Sequence, residues 1–412
     1  TTSSFLKQFW RIQLMLAIKG GDKVRRSKMP ARIALGDREE EQILAVIKYY
    51  RGLNEDPKYC GVFEEKFCDE FSKFMGGGYT NAVASGTGGI YVAMKACEIP
   101  ENSDVLISPV TCSGALSCIT EQGHTPVVVD SAKNSYNTSL SEIKKRVTPK
   151  TKAIQITHSA GEPVPDIKAI ASFAKENQIL LIEDCSQAIG AKVDGELVGS
   201  FGDASAFSTM YRKNLAAGAS SGLVFTKDYE IFKKILAYGD RGKILWEKDL
   251  DFRDPKHSVF PALNWNTDEF SCAIGLANLG RLEETNKLRR KFLTELIELM
   301  AEKIKICTPY SFNDGFAPFY FPIFVNTNDF NCSKMDFAKA IEAEGIPIGH
   351  HYGCLISTWP WAEPYLSDKF VAKNAIATRD SCFHLYLNEK YGNKEVLDII
   401  HAMEKIQSYF SS

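Results

Sequence analysis

Five short apolar runs, NAVAS, DVLIS, TPVVVD, KAIQIT and ILLIED, recur between residues 81 and 184, and the stretches between them carry apolar residues at helical spacing. A strand that is apolar along its whole length, not on alternate residues, is buried on both faces. Strands of this kind, alternating with helices, predict a mostly parallel sheet covered on both sides, an α/β architecture with right-handed crossovers. In such sheets ligands sit at the carboxyl ends of the strands. The residues just after each run are therefore where chemistry is expected.

The rhythm changes in the last third of the chain. FAPFYFPIFV reads as an antiparallel strand, SKMDFAKAIEAEGI as a helix and GNKEVLDIIHAMEKIQSYF as a terminal helix, which describes a smaller α+β domain. At 412 residues the chain is too long for one ordinary core. The expected division is an N-terminal helix and basic loop over 1–45, a large α/β domain over 46–282 and a small domain over 283–412. DREEEQILAVIKYYRG opens with acids, as a helix N-terminus should, and VFEEKFCDEFSKFMGG follows as a second helix. DEFSCAIGLANLGRLEETNKLRRKFLTELIELMAEKI keeps helical spacing long enough for one or two helices joining the domains. FLKQFWRIQLMLAIKG predicts an amphipathic helix and GGDKVRRSKMP a solvated basic loop.

Composition narrows the function. With 49 basic and 51 acidic residues the charge is nearly balanced, which gives no support for a nucleic-acid partner. No run approaches the roughly 20 apolar residues of a membrane span, and FWRIQLMLAIKGG, with Arg11 and no cleavage site, is not a signal peptide. The eleven cysteines show no CxxC pair and no metal-like spacing with histidine. Several of them, Cys97, Cys118 and Cys272 among them, fall in apolar runs. They read as reduced core residues of a cytoplasmic protein that holds no metal.

The stretch from Ile182 to Thr226 carries the chemistry. ILLIED ends in Glu183 and Asp184, and AFSTMYRKN places Ser208 five residues before Lys213. Pyridoxal phosphate requires a lysine for its aldehyde, a carboxylate facing its ring nitrogen and donors around its phosphate. Upstream, NAVAS runs through SGTGG into a helix. Glycines 86, 88 and 89 let the backbone approach a phosphate at that helix's N-terminus.

EDCSQAIGAKVDGELVGSFGDASAFS resembles the signature of the DegT/StrS family of PLP-dependent sugar aminotransferases, a branch of fold-type I. The resemblance extends over most of the chain. It implies that Lys213 holds the cofactor, Asp184 faces the ring nitrogen, Gln187 bonds the ring hydroxyl, and Gly86, Thr87 and Ser208 form the phosphate cup. NWNTDEFSCAIGLANL resembles a segment that reaches into the neighbouring subunit, so Asn264 would contact the phosphate across a homodimer interface. His158, Asn266, and the HHYGCL residues His351 and Tyr352 resemble substrate-side positions. The implied reaction moves an amino group from glutamate to a keto-sugar, most often a nucleotide-linked 4-keto-6-deoxyhexose, in amino-sugar synthesis for surface polysaccharide.

Three positions depart from the family pattern. Cys112 stands where an aromatic ring usually stacks on the cofactor, Asn266 replaces an arginine, and Ala219 to Gly222 replace a glycine-rich turn. These departures bear on the acceptor. They leave open a less phosphorylated one, such as an oxidised octulosonate or a cyclitol ketone, held by the basic loop at Lys23, Arg25 and Arg26. Alternatively, Arg241 of the GDRGK loop takes over the lost charge. A dehydratase of the family usually has histidine in place of Lys213. A non-catalytic sensor would not need the Asp184, Ser208 and Lys213 set.

Overall fold

The protein is described here as a computed structural model covering residues 15–247 and 250–411. Most of the predicted amphipathic N-terminal helix lies outside the described residues. Of its described part, Ala17–Lys19 form a single 3-10 turn.

The apolar runs become strands of a large sheet. In chain order they are β1 (Tyr79–Val83), β2 (Asp104–Ile107), β3 (Thr125–Val128), β4 (Thr151–Thr157) and β5 (Leu180–Asp184). A small hairpin of β6 (Lys192–Val193) and β7 (Glu196–Leu197) follows, then β8 (Ala204–Ser208) and β9 (Gly222–Thr226). The sheet has seven strands in the order β1-β9-β8-β5-β4-β2-β3. The block from β8 to β3 is parallel, and β9 runs against both its neighbours. Period-2 alternation explains why the strands are apolar throughout. Ile182, Ala153, Val105 and Ile107 pack into the layer that holds the Gly86–Ala96 and Ser113–Thr120 helices. Their neighbours Leu181, Ile154, Ile156 and Leu106 pack into the opposite layer, against the Ile167–Glu176 helix.

The long helical run breaks at Gly280 and Arg281 into Glu269–Leu279 and Leu282–Lys303. The second of these leads into an antiparallel sheet of β10 (Cys307–Pro309), β11 (Tyr320–Val325), β12 (Ile348–Gly349) and β13 (Cys382–Tyr386), in the order β10-β11-β13-β12. Phe337, Phe321, Phe383 and Ile323 centre its core, which the Asn393–Phe410 helix closes.

The N-terminal segment packs on this small-domain core through Leu16, Val24 and Met29. That corrects the expected solvated basic loop at Arg25. Its guanidinium is buried and reaches Glu395 at 3.0 Å and Asp398 at 2.5 Å on the last helix. Arg26 stays exposed and pairs with Asp22. No helix among the described residues is long and apolar enough to cross a membrane.

Candidate active site

The site is a cavity of about 310 Å³ at the carboxyl ends of β1, β5 and β8, with Cys112, beyond β2, on its wall. Asp184 and Glu183 are adjacent on β5 and so project to opposite sides. Glu183 is fully buried and faces away from the cavity. It accepts N–H bonds from Gly199, Phe201 and Gly202 at 2.7–2.8 Å and one from His158 Nε2 at 3.0 Å. Asp184 lines the cavity and accepts only the Ser186 amide, at Oδ1, 3.0 Å away. Its Oδ2 takes no hydrogen bond from the described residues.

Lys213 stands on the turn after β8, where its amide donates to Met210 O at 2.8 Å. Its Nζ lies 4.7 Å from the centre of the Phe319 ring. Burial pushes the amine below its usual pKa, and the carboxylate of Asp184 partly offsets this. Across the cavity is the N-terminus of the Gly86–Ala96 helix. The Ser85 hydroxyl caps Gly88 N at 3.0 Å, which leaves the amides of Gly86 and Thr87 with no acceptor among the described residues. The glycine is required here: a Cβ on Gly86 would lie 2.5 Å from Ser208 Cβ and 2.9 Å from its Cα. That absent methyl lets the helix end come against the Ser208 end of β8. Ser208 is itself held by its amide, which donates to Ser186 Oγ at 3.0 Å.

Of the residues singled out in the sequence, Gly86, Thr87, Cys112, Asp184, Gln187, Ser208 and Lys213 all line this one cavity. Gln187 is anchored at both ends of its amide. Its Oε1 accepts from Ala160 N at 3.0 Å and its Nε2 donates to Tyr352 OH at 3.1 Å. Cys112 stands at the N-cap of the Ser113–Thr120 helix on the cavity wall, where desolvation of its thiol, followed by the charge of Asp184, raises its pKa.

Other predicted residues are elsewhere. His158, expected on the substrate side, is fully buried behind β5. Its Nδ1 accepts from Val164 N at 2.9 Å, so Nε2 carries the hydrogen given to Glu183. With both nitrogens engaged it has nothing to offer a substrate: it follows Thr157 at the end of β4 and reaches Glu183, on the side of β5 opposite Asp184. His158, Glu183 and Cys185 bring ligand atoms within 4.8 Å of one another, but the histidine nitrogens and the glutamate oxygens are all already bonded. Asn264 is exposed and outside the cavity, and its Oδ1 accepts from Asn266 N and Nδ2 at 3.0 and 2.9 Å. His351 is exposed, 3.4 Å from Lys334 Nζ. Arg241 is paired with Asp240 at 2.6 Å.

Ser85 of the SGTGG turn also lines the cavity, and sequence reasoning passed over Ser186 and the pair Ser220–Ser221, which do so as well. The signal for the last pair was present in the departure from a glycine-rich turn, read only as a loss. Phe319 carried no local signal, because it arrives from the small domain.

The profile of the DegT/DnrJ/EryC1/StrS aminotransferase family matches residues 39–404. The chain belongs to that family. The family's aminotransferases depend on pyridoxal phosphate and act on sugars. Among similar proteins, GDP-perosamine synthase of Escherichia coli O157:H7 is 30% identical over 257 residues, 61% of this chain and 68% of that one. The spore coat polysaccharide biosynthesis protein SpsC of Bacillus subtilis (strain 168) is 27% identical over 388 residues, covering 92% and 97%. Among solved structures, an aminotransferase from Psychrobacter cryohalolentis superimposes with a TM-score of 0.84 at 22% identity, over 93% of this chain and 100% of that one.

Proposed function

We propose that the chain moves an amino group from glutamate to a nucleotide-linked keto-sugar, a 4-keto-6-deoxyhexose, in the synthesis of amino sugars for surface polysaccharide. The observation that carries the reading is Lys213 and Asp184 facing one cavity with an open helix N-terminus. Pyridoxal phosphate fits this donor set. The free amides of Gly86 and Thr87 and the hydroxyls of Thr87 and Ser208 suit a phosphate dianion. The free Oδ2 of Asp184 suits a protonated ring nitrogen, and the amine of Lys213 suits an aldehyde. When bound, the cofactor supplies a carbonyl that carries the amino group and a ring that takes up electron density from the reacting carbon.

The protein's part follows from its side chains. Asp184 holds the proton on the ring nitrogen. The Lys213 amine would take and hold the proton from the donor's α-carbon, which it can do only when neutral. Its lowered pKa serves that role. A dehydratase role is disfavoured by lysine at position 213, where that branch usually has histidine. A sensor role is disfavoured because Asp184, Ser208 and Lys213 are all present and converge.

The nucleotide-linked acceptor rests on the similarity to GDP-perosamine synthase. Of the charges weighed against the loss at Asn266, Arg25 is buried in ion pairs, while Arg241 gives only its Nε to Asp240 and keeps its side chain 44% exposed. The action of Asn264 at a second subunit's cofactor is also part of the proposal. It is supported by its exposure next to the exposed Leu263. The test is amine transfer from labelled glutamate to a panel of nucleotide-linked keto-hexoses, free keto-sugars and keto-sugar acids, repeated with Asn266→Arg. Preference for the nucleotide-linked acceptors supports the reading. Activity confined to the free keto-acids replaces the acceptor, and absence of transfer to all of them removes the reaction.

A further inference from the structure

The residue after the lysine is more heavily bonded than any role as a turn residue requires. Asn214 is 5% exposed. Its Oδ1 accepts from Arg289 Nη1 at 2.5 Å. Its Nδ2 donates to Asn286 Oδ1 at 2.9 Å, Pro318 O at 3.2 Å and Ala317 O at 3.3 Å. Each partner leads to another wall of the site. Asn286 Nδ2 donates in turn to Ile189 O at 3.0 Å, two residues past Gln187. Pro318 O also accepts from Arg289 Nη1, at 3.1 Å, and the next residue is Phe319, whose ring faces Lys213 Nζ. Arg289, 2% exposed, is charge-balanced by Glu389 at 2.9 Å, and Glu389 Oε1 accepts Ile33 N at 2.8 Å.

A buried guanidinium is costly, and it is retained here with its fork divided between one carboxylate and two oxygens of the site's frame. We propose that Asn214 and Arg289 are positioning residues: they fix the Lys213 turn in register with the Gln187 segment and with Phe319, so that the amine meets the cofactor's aldehyde. This rests on the reading of Lys213 given above. Covalent capture forms one C=N bond between the Lys213 amine and the aldehyde carbon and releases one water. Noncovalent binding in the phosphate cup does not need that alignment. The two steps therefore separate if Asn214 acts on the lysine, and fall together if it merely supports the fold.

The experiment uses the full chain freed of cofactor, as wild type, Asn214→Ala and Arg289→Lys. The lysine variant keeps a charge for Glu389 but loses the fork to Asn214 and Pro318. Affinity for pyridoxamine phosphate, which has no aldehyde, reads the cup. The rate of covalent capture of pyridoxal phosphate, fixed with borohydride and mapped to its peptide, reads the lysine. Because a displacement of about 1 Å at reacting groups costs up to about 10²-fold, capture at Lys213 should slow by about ten-fold or more in both variants, with pyridoxamine phosphate affinity little changed. Capture at the wild-type rate overturns the proposal. So does a parallel loss of capture and of pyridoxamine phosphate binding. Wild-type label on a lysine other than Lys213 instead overturns the underlying reading of the site.

Discussion

Lys213 sits in a setting that lowers its proton affinity, and its behaviour follows from that. Burial is the larger effect and the carboxylate of Asp184 the opposing one, so the net shift is downward from 10.5. A base with a lowered pKa is neutral in greater proportion at any pH below its usual value. At pH 8, then, Lys213 in cofactor-free protein should react with an amine acylating reagent faster than the exposed lysines, as read by peptide mass spectrometry. Labelling slower than that of the exposed lysines would contradict the shift. Lys213→Ala should retain a folded chain and weak cofactor binding while turnover falls by about 10³-fold or more. Asp184→Asn should keep the cofactor bound and lose about 10²-fold or more in rate, because the ring proton loses its counter-charge. Near-normal turnover of either variant, measured with glutamate as donor, would remove that residue's role. That Asp184, Ser208 and Lys213 share one cavity was legible in the sequence because Asp184 and Ser208 end apolar strands and Lys213 follows five residues after Ser208. His158 also lies next to an apolar strand, yet it turned inward. Which side a strand-end residue takes depends on register, and a single sequence does not display register.

At the level of elements, the helix that opens at Gly86 illustrates close approach. Adding a methyl there places carbon 2.5 Å from Ser208 Cβ, so Gly86→Ala should destabilise by about 1–3 kcal/mol. It should also weaken phosphate-dependent cofactor binding, measured by calorimetry with pyridoxamine phosphate. A second element-level prediction concerns β13. His384 lies 3% exposed with Nε2 2.7 Å from Tyr136 OH and its ring stacked on Tyr320 at 4.5 Å. Burial lowers its pKa from 6.5 to about 3. The unfolded chain therefore binds more protons than the folded one between those values. Its contribution to stability is complete above pH 6.5 and declines as pH falls toward 3. The unfolding midpoint should drop on acidification through that window, and His384→Gln should flatten the dependence. The strands and most helices could be read because their spacing is local. The ion pairs of Arg25 could not, since their partners, Glu395 and Asp398, lie at the other end of the chain.

For the whole molecule, the exposed positions of Asn264, Leu263 and Val259 outside the cavity motivate a homodimer in which each subunit completes the other's site. Light scattering should give twice the chain mass. An active, monodisperse monomer would remove both the dimer and the part assigned to Asn264. The change of rhythm past residue 283 corresponds to the start of the antiparallel sheet β10-β11-β13-β12 and the core packed on it. The docking of residues 16 to 29 on that core was not legible, because three apolar contacts spread along an irregular segment have no period.

The position of β9 also bears on synthesis. Among the described residues β1 is the first strand in the chain and pairs only with β9, with Tyr79 opposite Thr226 and Val83 opposite Gly222. The Ser85–Thr87 turn therefore leaves the ribosome attached to an unpaired edge, and stays so until the Lys213 loop and β9 have followed. Pairings so distant in sequence close slowly and late. The pairing of β1 with β9 thus brings Gly86 and Thr87 to the same cavity as Ser221 and Lys213. A ligand that bridges the two halves would act as a latch on that pairing.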